Sequence, residues 1–523
     1  MKKTVLVMVL FGLLLKGYAQ EKHDTVFVRS NTENGVIEGF ERAGVKIFRG
    51  IPYAQPPVGE LRWREPQPVK NWEGVRKTTH FGPRAMQLPV FGDMRFRSNG
   101  MSEDCLYLNV WTPSKNNREK LPVLVYFYGG GFIAGDGSEY RYDGESMARQ
   151  GIVTVTINYR LGIFGFFSHP ELTKESPHRA SGNYGLLDQS AALQWVKRNI
   201  AHFGGDPDKI TIGGESAGSY SVSAQMASPL SRNLIAGAIG ESGSLLGFGK
   251  MLSLSEAEKM GLLFQKAVGA ENIRELRNIS ADRLLEMTKR RDIPSFGVIV
   301  DGYFFPDKPE TIFLKGEQAQ VPLLVGWNSM ESNYKAILGD EEVTVENYEK
   351  AVRKRYPDIA DGLLKVYKAD SDDEVAQVAT DLASDMFIGY GTWNWSDIHA
   401  KTGNKEVYRY YFVHPRPGYK NAKNGDNLLI KGAAHSAEIE YVLGNLPVND
   451  VYDWQSEDYF VSTLSQLFFV HFIKTGNPNG LGVPVWLPVK PDEPADVMII
   501  GKNPRLQKEQ HRERYLYLRN VHF

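Results

Sequence analysis

Cysteine is almost missing from this chain: Cys105 is the only one in 523 residues, so no intramolecular disulfide can form. A dominant charge is missing as well. Lys and Arg total 61 against 62 Asp and Glu, a formal net charge of −1, which supplies no field for gathering nucleic acid or anionic lipid. The expected partner is a small neutral or modestly charged molecule, and no cofactor or metal is implied. There is no internal repeat, no low-complexity tract and no linker long enough to separate domains. Length alone, at about 150 residues per domain, would allow roughly three, but one large domain is expected over residues 20–523. Long apolar runs are also lacking except near the start, where Lys2 and Lys3 precede Val5–Leu15 and Gly17-Tyr18-Ala19 offers small residues for cleavage. That run is short for a membrane span and reads as a secretory signal peptide over residues 1–19. No apolar tail follows at Arg512–Phe523. An exported protein, periplasmic or extracellular and without a membrane anchor, is the expectation.

What is present is a chain of short buried strands alternating with helical stretches. Val26–Val28, Val36–Glu38 and Val45–Phe48 are strand-like and separated by Asn-Gly and Ala-Gly turn signals. Val123–Phe127, Ile152–Ile157, Ile210–Ile212, Val321–Val325 and Val407–Val413 are apolar without alternation, as strands covered on both faces must be. Between Asp188 and Phe203, Ala192, Trp195, Val196, Ile200 and Phe203 recur at helical spacing until Gly204-Gly205 stops them. Ser255–Arg291 reads as mostly helical, with Ser255 and Glu258 as a capping box, and is a candidate wall for a substrate pocket. The alternation implies an α/β, doubly wound architecture.

Gly214-Glu215-Ser216-Ala217-Gly218 fits Gly-x-Ser-x-Gly, a weak pattern by itself. Its context strengthens it: Lys209–Ile212 reads as a strand ending at the motif, and Ser219–Ala227, free of proline and glycine, reads as a helix. A strand that turns this sharply into a helix strains its central residue and exposes the side chain, which makes Ser216 the candidate nucleophile. Acyl transfer to a serine builds negative charge on the carbonyl oxygen, and donors must already be aimed at it. Ala217 offers one backbone N–H, and Tyr128-Gly129-Gly130-Gly131-Phe132, directly after a strand, offers two more.

A base and an acid should follow the serine in the order Ser, Asp or Glu, His. Downstream lie His399, His414, His435, His471, His511 and His522. His471 falls on the apolar face of a helix over Tyr459–Phe472 and reads as a packed core residue, while His511 and His522 sit in the charged tail. His435, in the small-residue loop Gly432–Glu438, is the favoured base, with the others open. Glu331, after the strand Val321–Val325, is the favoured acid, and Asp301 is the alternative.

Taken together, the chain resembles the type-B carboxylesterases, the family of cholinesterases and bacterial para-nitrobenzyl esterases. The resemblance runs from about Gly35 to the C-terminus. It is carried by Phe48-Arg49-Gly50-Ile51-Pro52-Tyr53-Ala54, by Ser102-Glu103-Asp104-Cys105-Leu106-Tyr107-Leu108-Asn109 and by Asn158-Tyr159-Arg160-Leu161-Gly162. Gly182-Asn183-Tyr184-Gly185-Leu186-Leu187-Asp188-Gln189, Phe203-Gly204-Gly205-Asp206-Pro207 and the Ser216 motif continue it. The resemblance implies an α/β-hydrolase fold: a central, mostly parallel twisted sheet flanked by helices, with large loop and helical insertions. It implies hydrolysis of small carboxylic esters, with Ser216, Glu331 and His435 as the catalytic set and Gly130, Gly131 and Ala217 as the oxyanion donors. It also places Glu215, Asp188 and Ser242 in support behind them and pairs Arg62 with Glu103. Three features depart from the family pattern. Ala85 stands where the partner of Cys105 is usual, so the loop between Phe81 and Asp104 is unstapled and a mobile loop is expected. Tyr128 replaces a common histidine before the glycines. No tryptophan lies between Asp93 and Cys105, which argues against a quaternary-ammonium substrate. The same machinery serves amides, thioesters and specialised carbohydrate esters, and adhesion proteins such as the neuroligins share the fold without catalysis.

Overall fold

The computed structural model describes residues 26–247, 249–420, 428–429 and 431–521. The expected signal segment and His522 lie outside the described residues. The N-terminal strands are β1 (Val26–Thr32), β2 (Gly35–Arg42), β3 (Val45–Pro52), the short β4 (Val75–Lys77) and β5 (Tyr107–Thr112). The central strands are β6 (Leu121–Phe127), β7 (Val153–Ile157), β8 (Gly205–Glu215) and β9 (Gly237–Glu241). After the small parallel pair β10 (Leu252–Ser253) and β11 (Ile299–Val300) come β12 (Leu323–Asn328), β13 (Val407–Phe412), β14 (Asp496–Ile500) and β15 (Arg505–Lys508).

All but β10 and β11 form one 13-stranded sheet in the order β1-β2-β3-β5-β7-β6-β8-β9-β12-β13-β14-β15, with β4 beside β2. From β7 to β14 every neighbouring pair is parallel, and the flanking strands are antiparallel apart from β4 on β2. The mostly parallel sheet of an α/β-hydrolase is thus in place. The turn between β2 and β3 has φ of +49° at Ala43 and +80° at Gly44, the doubly left-handed geometry that matches strand twist in a two-residue hairpin.

Parallel strands need helical crossovers, and these cover both faces. Val123–Phe127 of β6, all of β7 and Ile210–Glu215 of β8 are buried, which explains their unbroken apolar runs. The chain leaves β6 toward β7 on one side and returns to β8 on the other. A crevice therefore opens beyond the carboxyl ends of β6 and β8, where such sheets bind their ligands. Phe127 pairs with Gly214, and Glu215 with Glu241, so the segments leaving β6, β8 and β9 emerge side by side.

Two expected local features fall elsewhere. The capping box is made by Ser253 and Glu256, not Ser255 and Glu258. Both pairs have the same spacing, but pairing of β10 with β11 keeps Ser253 extended, and the helix Leu254–Val268 starts behind it. The helix Leu254–Val268 packs on Phe167 and Ser168, through Phe264 and Gly261, and no residue of the 254–287 stretch is among those lining the cavity described below. Between β12 and β13 a helical insertion builds a second core around Trp327, Leu363, Leu382, Trp393 and Leu518. Within it, Asp385–Gly389 forms a turn of π-helix, an irregularity that often marks functional sites. Among the described residues no helix is long and apolar enough to cross a membrane.

Candidate active site

Ser216 sits between the end of β8 and the helix Ala217–Ala227 with φ +54° and ψ −123°. Such backbone costs on the order of 1–3 kcal/mol and persists only where its surroundings enforce it. Here Ser216 N–H donates to the Glu241 carbonyl at 2.9 Å, and the Ser216 carbonyl accepts from Tyr220 N–H at 2.9 Å. The flanking glycines are steric necessities: a Cβ on Gly218 would lie 2.0 Å from the Phe127 carbonyl oxygen, and one on Gly214 would lie 2.6 Å from the Gly218 backbone.

The structure brings Ser216, His435 and Glu331 into line. Ser216 Oγ is 2.9 Å from His435 Nε2, and His435 Nδ1 is 2.6 Å from Glu331 Oε2. The carboxylate can only accept from Nδ1–H, which leaves Nε2 as the acceptor for the serine hydroxyl. The other oxygen of Glu331 accepts from Asn328 N–H at 2.6 Å and Ser242 Oγ at 2.6 Å. Phe387, carried by the π-helical turn, meets the His435 ring edge-to-face at 5.2 Å.

Beside Ser216 runs the segment leaving β6. Gly130 and Gly131 have φ of +113° and +63°, and a Cβ on Gly130 would stand 2.2 Å from the Ala134 carbonyl oxygen. Among the described residues neither glycine N–H has an acceptor. Ala217 opens its helix, where a backbone N–H has no intrahelical partner. These three donors, Ser216 and His435 border one cavity of about 560 Å³, with Phe91, Met94, Phe132, Tyr220 and Phe387 among its walls.

Behind the line lies an acid cluster of which sequence reasoning named only part. Glu438 accepts from Ser242 Oγ at 3.2 Å and from Asn328 Nδ2 at 2.6 Å. Glu241 accepts from Tyr126 Oη at 3.1 Å, and Glu215 Oε1 stands 3.3 Å from His435 Nε2. Burial pushes Glu215 up to about 8, helped by Glu438 and Glu331. Burial and Glu331 raise Glu438 to about 7, and burial with Glu438 and Glu215 lifts Glu241 well above the usual range. Burial works against charge on His435, but Glu215, Glu331 and Glu438 outweigh it and raise the imidazole to about 10. Charge on Glu215 thus favours the imidazolium, and the two groups, 3.3 Å apart, titrate against each other.

The remaining candidates fall outside this arrangement. Asp188 does not touch the triad. Its carboxylate is taken by Arg160, through Nε at 2.8 Å, Nη2 at 2.7 Å and the backbone N–H at 3.0 Å. Asp301 accepts from the Tyr303 and Phe305 backbone at 3.1 and 2.9 Å, closing a turn. His399 is buried and held by Gln318 and the Val321 carbonyl. His414 is paired with Asp458 at 2.7 Å. His471 is half-buried rather than a core residue, because Gly480 and the Leu481 carbonyl cap its ring from a surface loop. The expected Arg62–Glu103 pair is present and two-pronged, with both contacts at 2.6 Å.

The loop between Phe81 and Asp104, unstapled by any disulfide, is held by polar contacts. It is tied down, by Gln87 to both backbone groups of Gly135, by Arg97 to Asp143 at 2.6 Å, by Ser98 to Asp136 and by Arg141 to Asp93 at 2.8 Å. The polar groups that replace the missing bridge leave no distinctive spacing in the sequence.

Comparison with known proteins agrees with this geometry. The profile of the carboxylesterase family matches residues 27–518. A fumonisin B1 esterase of Sphingopyxis macrogoltabida is 38% identical over 83% of this chain and 78% of its own. An acylcarnitine hydrolase of Mus musculus is 34% identical over 92% and 90%. Among solved structures, a PNB esterase superposes with a TM-score of 0.78 at 28% identity, covering 94% of this chain and 99% of its own. The Geobacillus stearothermophilus carboxylesterase EST55 does so with 0.79 at 29% identity over the same shares. The chain belongs to the carboxylesterase family and is a carboxylic ester hydrolase.

Proposed function

We propose that Ser216 is the nucleophile of this hydrolase, His435 its general base and then acid, and Glu331 the group that orients the imidazole. Gly130, Gly131 and Ala217 supply the oxyanion donors. The observation that carries the reading is the unbroken hydrogen-bonded line from Ser216 Oγ through His435 to Glu331, whose Ser216 and His435 members border the same cavity as the unpaired glycine amides. As Oγ attacks the ester carbonyl, its proton passes to Nε2, and Glu331 stabilises the imidazolium without taking the proton. The tetrahedral oxyanion is met by the three N–H groups. Its collapse breaks the bond to the alcohol oxygen, which leaves with the proton from Nε2, and the acyl group remains on Ser216. Water then repeats the sequence, giving its proton to Nε2, and the acid is released.

A short-chain chromogenic ester tests this. Ser216→Ala is expected to lose at least about a thousandfold in rate, and a phosphonofluoridate is expected to label Ser216. Labelling at another serine, or full turnover by His435→Ala, overturns the assignment. The adhesion-protein reading is not favoured, since all three triad members are present and aligned.

Residues 1–19 are proposed to direct export and to be removed, on the strength of Lys2, Lys3 and the apolar run Val5–Leu15. The mature protein is then expected to begin at Gln20 in a periplasmic or medium fraction. An intact Met1 terminus inside the cell would overturn that.

A further inference from the structure

The catalytic cavity has one wall that the triad does not use. Arg141 is buried, yet it borders the space shared by Ser216, Gly130 and His435. It sits on the segment that also carries the oxyanion glycines, and its charge reaches Glu215, the neighbour of Ser216. Among the described residues lining the cavity it is the only Lys or Arg, and it stands beside Asp93, Glu215 and Asp385.

Its donors are only partly used. Nη2 donates to Asp93, to the carbonyl at 3.1 Å and to Oδ2 at 2.8 Å. Nε stands 3.2 Å from Glu139 Oε2, but neither oxygen of Glu139 accepts a hydrogen bond. No hydrogen bond among the described residues uses Nη1. Burial opposes the charge on Arg141, but Glu139 and Glu440 outweigh it and the guanidinium stays ionised. Asp93 and Glu139 balance its charge, but a buried donor such as Nη1 is costly unless an acceptor meets it. The acceptor geometry it matches is a planar carboxylate, which a guanidinium grips with two parallel bonds. Asp93 occupies one edge and is itself part of the cavity wall.

We propose that Arg141 makes this a site for esters that carry a second, free carboxylate, whose acid group it holds while Ser216 attacks the ester carbonyl. The proposal rests on Ser216 being the nucleophile. It differs from a purely structural Arg141, which would pin the Asp93 loop and leave substrate choice untouched.

The test uses two matched pairs of substrates. One places the acid on the acyl side, 4-nitrophenyl hydrogen glutarate against 4-nitrophenyl pentanoate. The other places it on the leaving group, 4-acetoxyphenylacetate against its methyl ester. The readout is the ratio of kcat/KM, acid over neutral, so that any general loss of activity cancels. The wild type is expected to favour the acid in one pair by about tenfold or more, and Arg141→Gln to lose that preference through KM. No preference in either pair, or a preference that survives Arg141→Gln, overturns the proposal. If that variant does not fold, inhibition of the wild type decides: glutarate should compete with the neutral ester and glutaramide should not, and equal effects overturn the proposal. Failure of the wild type on all four esters would instead count against the Ser216 assignment.

Discussion

Replacing Glu331 by Gln is the sharpest probe of the proposed mechanism, because the structure shows what the new amide would meet. Glu331 accepts three hydrogen bonds and donates none: from His435 Nδ1, Asn328 N–H and Ser242 Oγ, all at 2.6 Å. An amide has one NH2 to place among those donors. Set toward His435, it opposes Nδ1–H and drives the proton to Nε2, where the ring no longer accepts from Ser216. Set toward Asn328, it faces a backbone N–H, while the neutral oxygen left near Nδ1 no longer balances the imidazolium. The same charge-removing substitution in the serine-protease triad costs about 10⁴ in kcat, chiefly through the wrong tautomer. A loss of about 10³–10⁴ is therefore expected here, equivalent to roughly 4–5.5 kcal/mol of barrier. Stability should change little, since removing one charge from among Glu215, Glu241 and Glu438 relieves repulsion. The assay is kcat/KM on a short-chain 4-nitrophenyl ester across pH 6–9, alongside a thermal melt. Glu331→Asp keeps the charge but retracts it by one methylene, and should fall between wild type and Gln. A Glu331→Gln enzyme within about tenfold of wild type, with an unchanged melt, would refute the argument that this carboxylate sets the tautomer.

Three further outcomes follow from the same geometry. Glu215→Gln removes the carboxylate that does most to raise His435; the base is active when neutral, so a lower imidazole pKa moves the acid limb of kcat/KM to lower pH, and an unmoved or raised limb counts against that coupling. Burial holds Glu139 and Glu215 at about 8, and Glu438 and Asp385 at about 7. The native state thus binds these protons more tightly than the unfolded chain, and their stabilisation, complete below the unfolded values, is lost as pH rises to 7–8, at up to about 1.4 kcal/mol per pH unit for each group. Tm should therefore be higher at pH 5.5 than at 8.5, and the reverse order would mean that these carboxyls are ionised in the fold. Cys105 is buried and burial pushes its thiol up, so an alkylating agent should react with one thiol without reductant only after denaturation; rapid labelling of the native protein would show that the pocket around it opens.

Ser216 was legible because everything that positions it is local: an apolar run, a glycine on either side, then a helix-forming stretch. The buried parallel strands were legible for a similar reason, since burial on both faces leaves an unbroken apolar signature. Glu331 and His435 were harder. Residue reasoning placed each in a loop at a strand end but could not show that the loops meet; that depends on β8, β9 and β12 being neighbours in the sheet, which no short-range pattern encodes. Position favoured them over the alternatives, and family resemblance decided the choice. The same resemblance placed Asp188 behind the triad, where the structure gives it to Arg160. Glu438 was visible three residues after His435, yet it carried no signal, because its role arises from contact with Asn328 and Ser242. The two Ser-x-x-Glu pairs at the start of Leu254–Val268 show a different limit. Spacing is a local code with two valid readings, and the pairing of β10 with β11 chooses between them.

The loop before Cys105 is held by bonds whose physics differs from that of a disulfide. A disulfide closing a loop of about 20 residues would act on the unfolded chain, by about 3 kcal/mol, and would be indifferent to salt and pH. Here Arg97–Asp143, Arg141–Asp93, Ser98–Asp136 and the reciprocal bonds of Gln87 with Gly135 act only in the native state. Charge-assisted bonds of this kind contribute about 1.5–3 kcal/mol each where they are buried, so a few of them match a disulfide in magnitude. They differ in where they pull. Every one ends on residues 135–143, the stretch that continues the oxyanion segment and includes Arg141. The loop, Gly130, Gly131 and Arg141 are therefore parts of a single wall. A substrate carboxylate that engages Arg141 draws on the same donor set that holds Asp93, and binding and loop position become two readings of one balance.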